Sequence, residues 1–255
     1  MKTLLIVIDL QKDFCEGGNL AVPGGLAAGQ WLAKWLDKNR SLVTDIYISL
    51  DVHFPIHISL PGAWEGCISP FSKVSSKDVE ENKILPKYLS KDLVIDYLKF
   101  YEKYMDEPLT IWPNHCLFGT DGISLENNFS TALNNWCLKN GKKPEYVIKG
   151  TEECSEMFSM FTQAVKTKQD VENLVKVRNL IKSYDRVYIS GLAKDVCVYN
   201  SVNDLIYIAE KDPDYIKDKI VFLEDAMAGI DKDSEKVKNL WNKAITDFGA
   251  KIYKE

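Results

Sequence analysis

Short runs rich in β-branched and apolar residues recur along the chain at residues 4–8, 45–50, 146–148, 187–190, 220–223 and 250–253. Between most of them lie amphipathic stretches with helical spacing, at 27–38, 171–183, 198–210 and 234–246. Strands that alternate with helices pair in parallel, because each crossover returns the chain in the same direction and lays a helix on the sheet. The pattern therefore predicts an α/β fold with three layers, α/β/α, around a central, mostly parallel six-stranded sheet. In such sheets ligands sit beyond the carboxyl ends of the strands, near the point where strand order reverses. Residues just after strands are thus the first to consult for function.

The 255 residues, 45% of them apolar, suffice for one large core, so the expectation is a single domain over 1–255. Around residues 62–108 a Lys- and Ser-rich segment with a helical stretch at 93–104 breaks the rhythm, and it reads as an insertion or lid. Lys2 and the apolar run to Ile8 resemble a secretory leader, but the run is too short and meets Asp9, so a strand is the better reading. No apolar stretch approaches bilayer length, which predicts a soluble chain with no membrane partner. A formal charge of -5 arises from interspersed Lys and Asp/Glu with no basic stripe, which argues against nucleic acid. Cys15, Cys67, Cys116, Cys137, Cys154 and Cys197 lack metal-type or small-disulfide spacing, and a reducing, cytoplasmic setting is expected. The pairs Gly17-Gly18 and Gly24-Gly25 lack the spacing that cradles a dinucleotide.

Asp9, Lys149 and Cys197 each stand at or just past the end of an expected strand. Singly they read as a loop carboxylate, a solvated charge and a small buried thiol. Together they supply a nucleophile, a carboxylate able to take its proton, and a cation that steadies both. Asp195 reads as the cap of the following helix, which would place Cys197 in a first turn that favours the thiolate. Backbone N–H groups of Ala193 and Cys197 would face a developing oxyanion there. Attack on an acyl carbon is the natural reaction.

The chain's histidines fall in two short segments flanking the expected insertion: Asp51-Val-His53 with His57, and Trp112-Pro-Asn-His115-Cys116. Residues two apart at a strand end point to one side. Two imidazoles and a carboxylate suit zinc, and equally iron or manganese with waters completing the shell. A hydrogen-bonded Asp–His pair without metal is the alternative. Phe14 and Trp112 can wall a pocket for a flat ring, although aromatic residues usually pack in a core.

These segments, Asp9-Leu-Gln-Lys-Asp-Phe14 with Gly17 to Gly24, Asp51 to His53 through Ser59, Trp112 to Thr120, Lys149-Gly150, and Gly191 to Val198, together resemble the isochorismatase-like cysteine hydrolases and, within them, the nicotinamidases (pyrazinamidases). The resemblance runs from end to end apart from the insertions. It implies an isochorismatase-like fold and hydrolysis of nicotinamide, with pyrazinamide as an analogue, to the acid and ammonia through a thioester. It further implies a triad of Cys197 as nucleophile, Asp9 as proton acceptor and donor, and Lys149 between them. Asp51, His53 and His115 would hold one divalent metal ion, zinc foremost with iron or manganese as alternatives, while His57 is a ligand in some relatives and a neighbour in others. A cis peptide between Leu192 and Ala193, and a ring held by Phe14 and Trp112, belong to the same pattern. Phe158, in the substrate-binding set, stands where many relatives carry Tyr, and the segments 62–108 and 162–183 are longer than in compact bacterial members. The resemblance leaves room for a homo-oligomer. Two rival readings are another small-molecule hydrolase of the same type, and a binding protein that has lost catalysis.

Overall fold

The computed structural model describes residues 1–66, 68–231 and 233–253, so Cys67 lies outside the described residues. Strands β1 (Thr3–Ile8), β2 (Asp45–Asp51), β5 (Glu145–Lys149), β6 (Arg186–Leu192), β7 (Ile220–Ala228) and β8 (Lys251–Ile252) form a six-stranded sheet in the order β5-β2-β1-β6-β7-β8. Every pairing in it is parallel, so the expected mostly parallel sheet is wholly so. The side-chain alternation of β1 explains the layers. Leu4, Ile6 and Ile8 enter the apolar cluster on one face, whereas Leu5 and Val7 enter the cluster on the other.

On the Leu5 face, helices α1 (Gly25–Lys38) and α4 (Asn127–Asn140) cover the sheet with Leu32, Trp35, Phe129 and Trp136. Helices α5 (Lys168–Lys182), α6 (Tyr199–Ala209) and α7 (Glu235–Phe248) cover the opposite face with residues such as Ile181, Leu205 and Trp241. Local chemistry fixes where these helices start. Thr167 and Asp170 close a reciprocal capping box on α5, a device whose loss typically costs about 1 kcal/mol. The Glu16 carboxylate reaches across to accept from the N–H groups of Gly24 and Leu26 at the start of α1, which lowers its own pKa. Gly191 is needed for packing as well as for its φ of +125°, because a Cβ there would lie 2.0 Å from the carbonyl oxygen of Ile8.

The interrupting segment carries a core of its own. A two-stranded antiparallel ribbon, β3 (Lys73–Val74) with β4 (Leu109–Thr110), joins helices α2 (Ser76–Glu80) and α3 (Lys91–Met105) around Trp64, Val79, Leu98 and Tyr101. Helix α3 is the helix expected at 93–104, and Ser90 caps it by accepting from the N–H of Leu93. No helix among the described residues is long and apolar enough to cross a membrane.

Candidate active site and metal centre

Strand ends assemble the site. Asp9 follows β1, Asp51 and Lys149 close β2 and β5, and Cys197 lies in a single π-helical turn, Lys194–Val198, directly after β6. Parallel pairing brings Asp51 opposite Lys149 in register, and Asp9 and Cys116 both hold left-handed backbone beside them, with φ of 47° and 46°. Gln11 extends the β1–β2 pairing past the sheet: its side-chain amide accepts from the Asp51 N–H at 2.8 Å and donates to the Asp51 carbonyl at 2.7 Å. The peptide bond between Leu192 and Ala193 is cis.

Lys149, 2% exposed, is the hub. Its Nζ lies 3.0 Å from Asp9 Oδ2, 2.8 Å from Asp51 Oδ1 and 3.7 Å from Cys197 Sγ, and it donates to the Met157 carbonyl at 2.9 Å. Burial disfavours its charge, but Asp51 and Asp9 outweigh burial and hold its pKa well above the ordinary lysine value. Burial raises the Asp9 pKa against the pull of Lys149, while Ser49 donates to Asp9 Oδ1 at 2.7 Å. Asp9 Oδ2 has no aligned hydrogen-bond donor, which leaves it, beyond the ion pair with Lys149, as the free acceptor of the pair.

Two expectations about Cys197 need correction. Burial pushes its thiol well above the ordinary value, and the downward pull of Lys149 does not cancel this, so the resting group is a thiol and not a helix-stabilised thiolate. Asp195 is no helix cap either. Its carboxylate turns away to accept from the N–H groups of Ile230 at 3.0 Å and Asp231 at 2.7 Å, which ties the nucleophile turn to the loop after β7.

Beside the hub, ligand atoms of Asp51, His53 and His115 lie within 4.8 Å of one another, all buried. The Nδ1 atoms of His53 and His115 face the carbonyls of Gly150 and Pro113, each at 2.8 Å. A carbonyl can only accept, so each Nδ1 carries the proton, and in the neutral ring the Nε2 lone pair turns inward. Both Nε2 atoms face Asp51 Oδ2, at 2.9 and 3.2 Å. Three acceptors converging on one point call for positive charge between them, which is the donor set of a divalent metal. Asp51 carries the same demand: with no ion present, burial would raise its pKa, yet the positive charge of a protonated His53 and of Lys149 holds it well below the carboxylate range, a charge that a bound cation would supply in place of the imidazolium. His57 packs against His53 with ring centroids 4.4 Å apart, but its nitrogens face other groups. Its Nδ1 meets Ser59 Oγ at 2.8 Å and its Nε2 meets the Ser155 carbonyl at 3.2 Å, and burial lowers its pKa to about 4.

A cavity of about 40 Å³ joins the two groups. Phe14, Trp112 and Phe158 line it together with His115, Lys149 and Cys197. The sequence-expected residues are thus gathered in one place, with His57 against His53 at its edge. Sequence reasoning had no signal for Glu156, which lines the same cavity, and it assigned no role to Gln11 or Ser49 although both stood in or beside its motifs.

No family model matches the chain. Nicotinamidase of Escherichia coli (strain K12) is 24% identical over 209 residues, 81% of this chain and 78% of that protein. Among solved structures, the yeast nicotinamidase bound to the inhibitor nicotinaldehyde covers all of both chains at 20% identity with a TM-score of 0.64. The chain resembles the nicotinamidases and pyrazinamidases in sequence and in fold. The pyrazinamidase of Pyrococcus horikoshii in complex with zinc shares this nicotinamidase-type fold at 21% identity, full coverage of both chains and a TM-score of 0.58. The nicotinamidase relatives mark the chain as an enzyme, and the fold match runs from end to end.

Proposed function

We propose that the chain hydrolyses nicotinamide to nicotinic acid and ammonia, a step of nicotinamide salvage in the cytoplasm, through a thioester on Cys197. The observation that carries the reading is Lys149 Nζ, held between Asp9 at 3.0 Å and the Cys197 sulfur at 3.7 Å, on the wall of a cavity that also contains the Asp51, His53 and His115 set. Phe14, Trp112 and Phe158 hold the pyridine ring, and orientation of this kind can contribute several kcal/mol toward the barrier. Asp51, His53 and His115 would hold a divalent metal, zinc foremost with iron or manganese as alternatives, which would supply an electrophilic contact for the ring nitrogen.

Asp9 takes the Cys197 proton as sulfur bonds to the amide carbon. A carboxylate whose pKa is already raised is a better match for a buried thiol than a free one. The N–H groups of Ala193 and Cys197 receive the oxyanion, and preorganised donors of this kind commonly contribute about 3–4 kcal/mol. Asp9 returns the proton to the leaving nitrogen, the carbon–nitrogen bond breaks and ammonia departs. Water then cleaves the thioester, freeing the acid and the thiol. Lys149 holds Asp9 in place throughout and favours its charged form before it takes the proton and after it gives the proton up.

The test is ammonia release from nicotinamide by the wild type beside Cys197→Ala. Release by the first alone is the expected result. Release by neither overturns the substrate assignment, and equal release by both overturns the nucleophile.

A further inference from the structure

Strand β5 forms one edge of the central sheet, and its outer side is open. The Lys149 carbonyl accepts from the Val52 N–H on the β2 side, and backbone groups alternate in direction along a strand. Lys149, Val147 and Glu145 therefore bond toward β2, while the N–H and C=O groups of Tyr146 and Ile148 point off the sheet. Those groups bond no other part of the backbone among the described residues. Their side chains are open as well, with Tyr146 47% and Ile148 51% exposed. An open strand edge is a template for another strand, and most proteins blunt it. The opposite edge, β8, is blunted: it is two residues long and carries Lys251. Strand β5 runs for five residues, and Pro144 blocks only its start.

We infer that β5 is a homodimer interface, at which the edges of two copies pair antiparallel about a two-fold axis through Val147. The open groups select this register. With Val147 opposite its own copy, Tyr146 exchanges both backbone bonds with the partner's Ile148, and symmetry repeats the exchange on the other side, so every open group is satisfied. Opposed residues of an antiparallel pair share a face, so each Tyr146 lies beside the partner's Ile148, an aromatic and β-branched pair of the kind that stabilises sheets. On the other face Val147 lines an apolar groove with Met157, Met160, Val177 and Leu180, and it meets the partner's Val147. Charge agrees with the direction. Exposed Lys142 and Lys143 precede the strand and exposed Glu152 and Glu153 follow it, so antiparallel pairing lays each basic pair beside the partner's acidic pair. Lys143 is the chief contact, since Lys142 is already held by Asp45 at 2.9 Å. Parallel pairing would set like charges together. The six-stranded sheets of the two copies become one continuous sheet.

The experiment is sedimentation equilibrium of the full chain over a concentration series, beside Tyr146→Lys, with Val147→Cys oxidised and peptide-mapped. The wild type is expected to be a dimer with a Kd in the micromolar range or tighter, as small specific interfaces are. Tyr146→Lys sets a charge against the partner's Ile148 and should raise the Kd by roughly 10- to 100-fold, with the melting midpoint little changed. Val147→Cys should cross-link the two chains through the introduced thiols, because opposed residues at a non-hydrogen-bonded pair stand about 4.5 Å apart at Cα. Peptide mapping separates that link from any through the native cysteines. A chain that is monomeric at about 100 µM overturns the inference and leaves the edge to an extended peptide of another protein. A dimer that V147C does not cross-link, or that a folded Tyr146→Lys leaves at full strength, overturns it too, because the interface then lies elsewhere. Should Tyr146→Lys fail to fold, the Val147→Cys link decides alone.

Discussion

Gly150 is the residue whose replacement should separate the metal centre from the rest of the fold. Its φ of +76° is one that an L-residue adopts at a cost of roughly 1–2 kcal/mol. A Cβ there would also lie 2.6 Å from His53 Cε1 and 2.9 Å from Asp51 Oδ1. For Gly150→Ala the imidazole must retreat by about 0.8 Å to reach 3.4 Å, where ordinary contact begins. Metal–nitrogen bonds tolerate only about 0.2 Å of error, so the ring cannot retreat that far and remain a good ligand. The same residue's carbonyl holds His53 Nδ1 at 2.8 Å, which means the push and the lost restraint act together. Zinc affinity, measured by competition with a chromophoric chelator, should weaken by about 10- to 100-fold. The melting midpoint of the metal-free protein should fall by only a few degrees, roughly 2–8 °C. An unchanged zinc affinity in G150A would refute the ligand assignment of His53.

Lys149→Met removes the cation that pairs with Asp9 and Asp51, leaving two buried carboxylates facing each other; urea unfolding of the chelated protein should show a loss of about 3–5 kcal/mol, and a loss below 1 kcal/mol would mean that the carboxylates find another partner. His57→Asn strips a donor from the Ser155 carbonyl and should cost about 1–3 kcal/mol in the same assay, yet zinc affinity should stay within about threefold of wild type because both ring nitrogens already serve other groups. A collapse of metal binding in H57N would place that ring among the ligands.

Much of this was legible in the residues because the sheet is parallel and buried, so its strands read as apolar runs bounded by polar ones. Where the runs carried charge the reading fell short: β7 continues to Ala228 through Glu224 and Asp225, past the expected end at 223. Helix α4 gives little signal in the sequence because five asparagines fall within it, although Phe129, Ala132, Leu133 and Trp136 sit at helical spacing on one buried face. The site was legible wherever a strand end carried a residue of unusual chemistry. Asp195 misled because a carboxylate beside a helix start resembles a cap, and only the tertiary fold brings the N–H groups of Ile230 and Asp231 to it. Glu156 gave no signal, since a glutamate in a polar loop looks solvated until Tyr97 and the cavity wall close around it.

The strand order has a consequence for how such a catalyst can change over generations. From β1 the chain builds outward through β2 and β5 on one flank, then crosses to build β6, β7 and β8 on the other. Asp51 and His53, the proposed holders of a cation, belong to the first flank and the thiol to the second, and Lys149 reaches in from β5 to pair with Asp9 beside the thiol. On the proposed reaction, the residues for the ring and the turn for the nucleophile therefore come from different stretches of the chain, tied together by Asp9 and Lys149 of the earlier one. Substitutions on the early flank can retune which heterocycle is welcomed while the nucleophile turn, built by a later stretch of the chain, is passed on untouched.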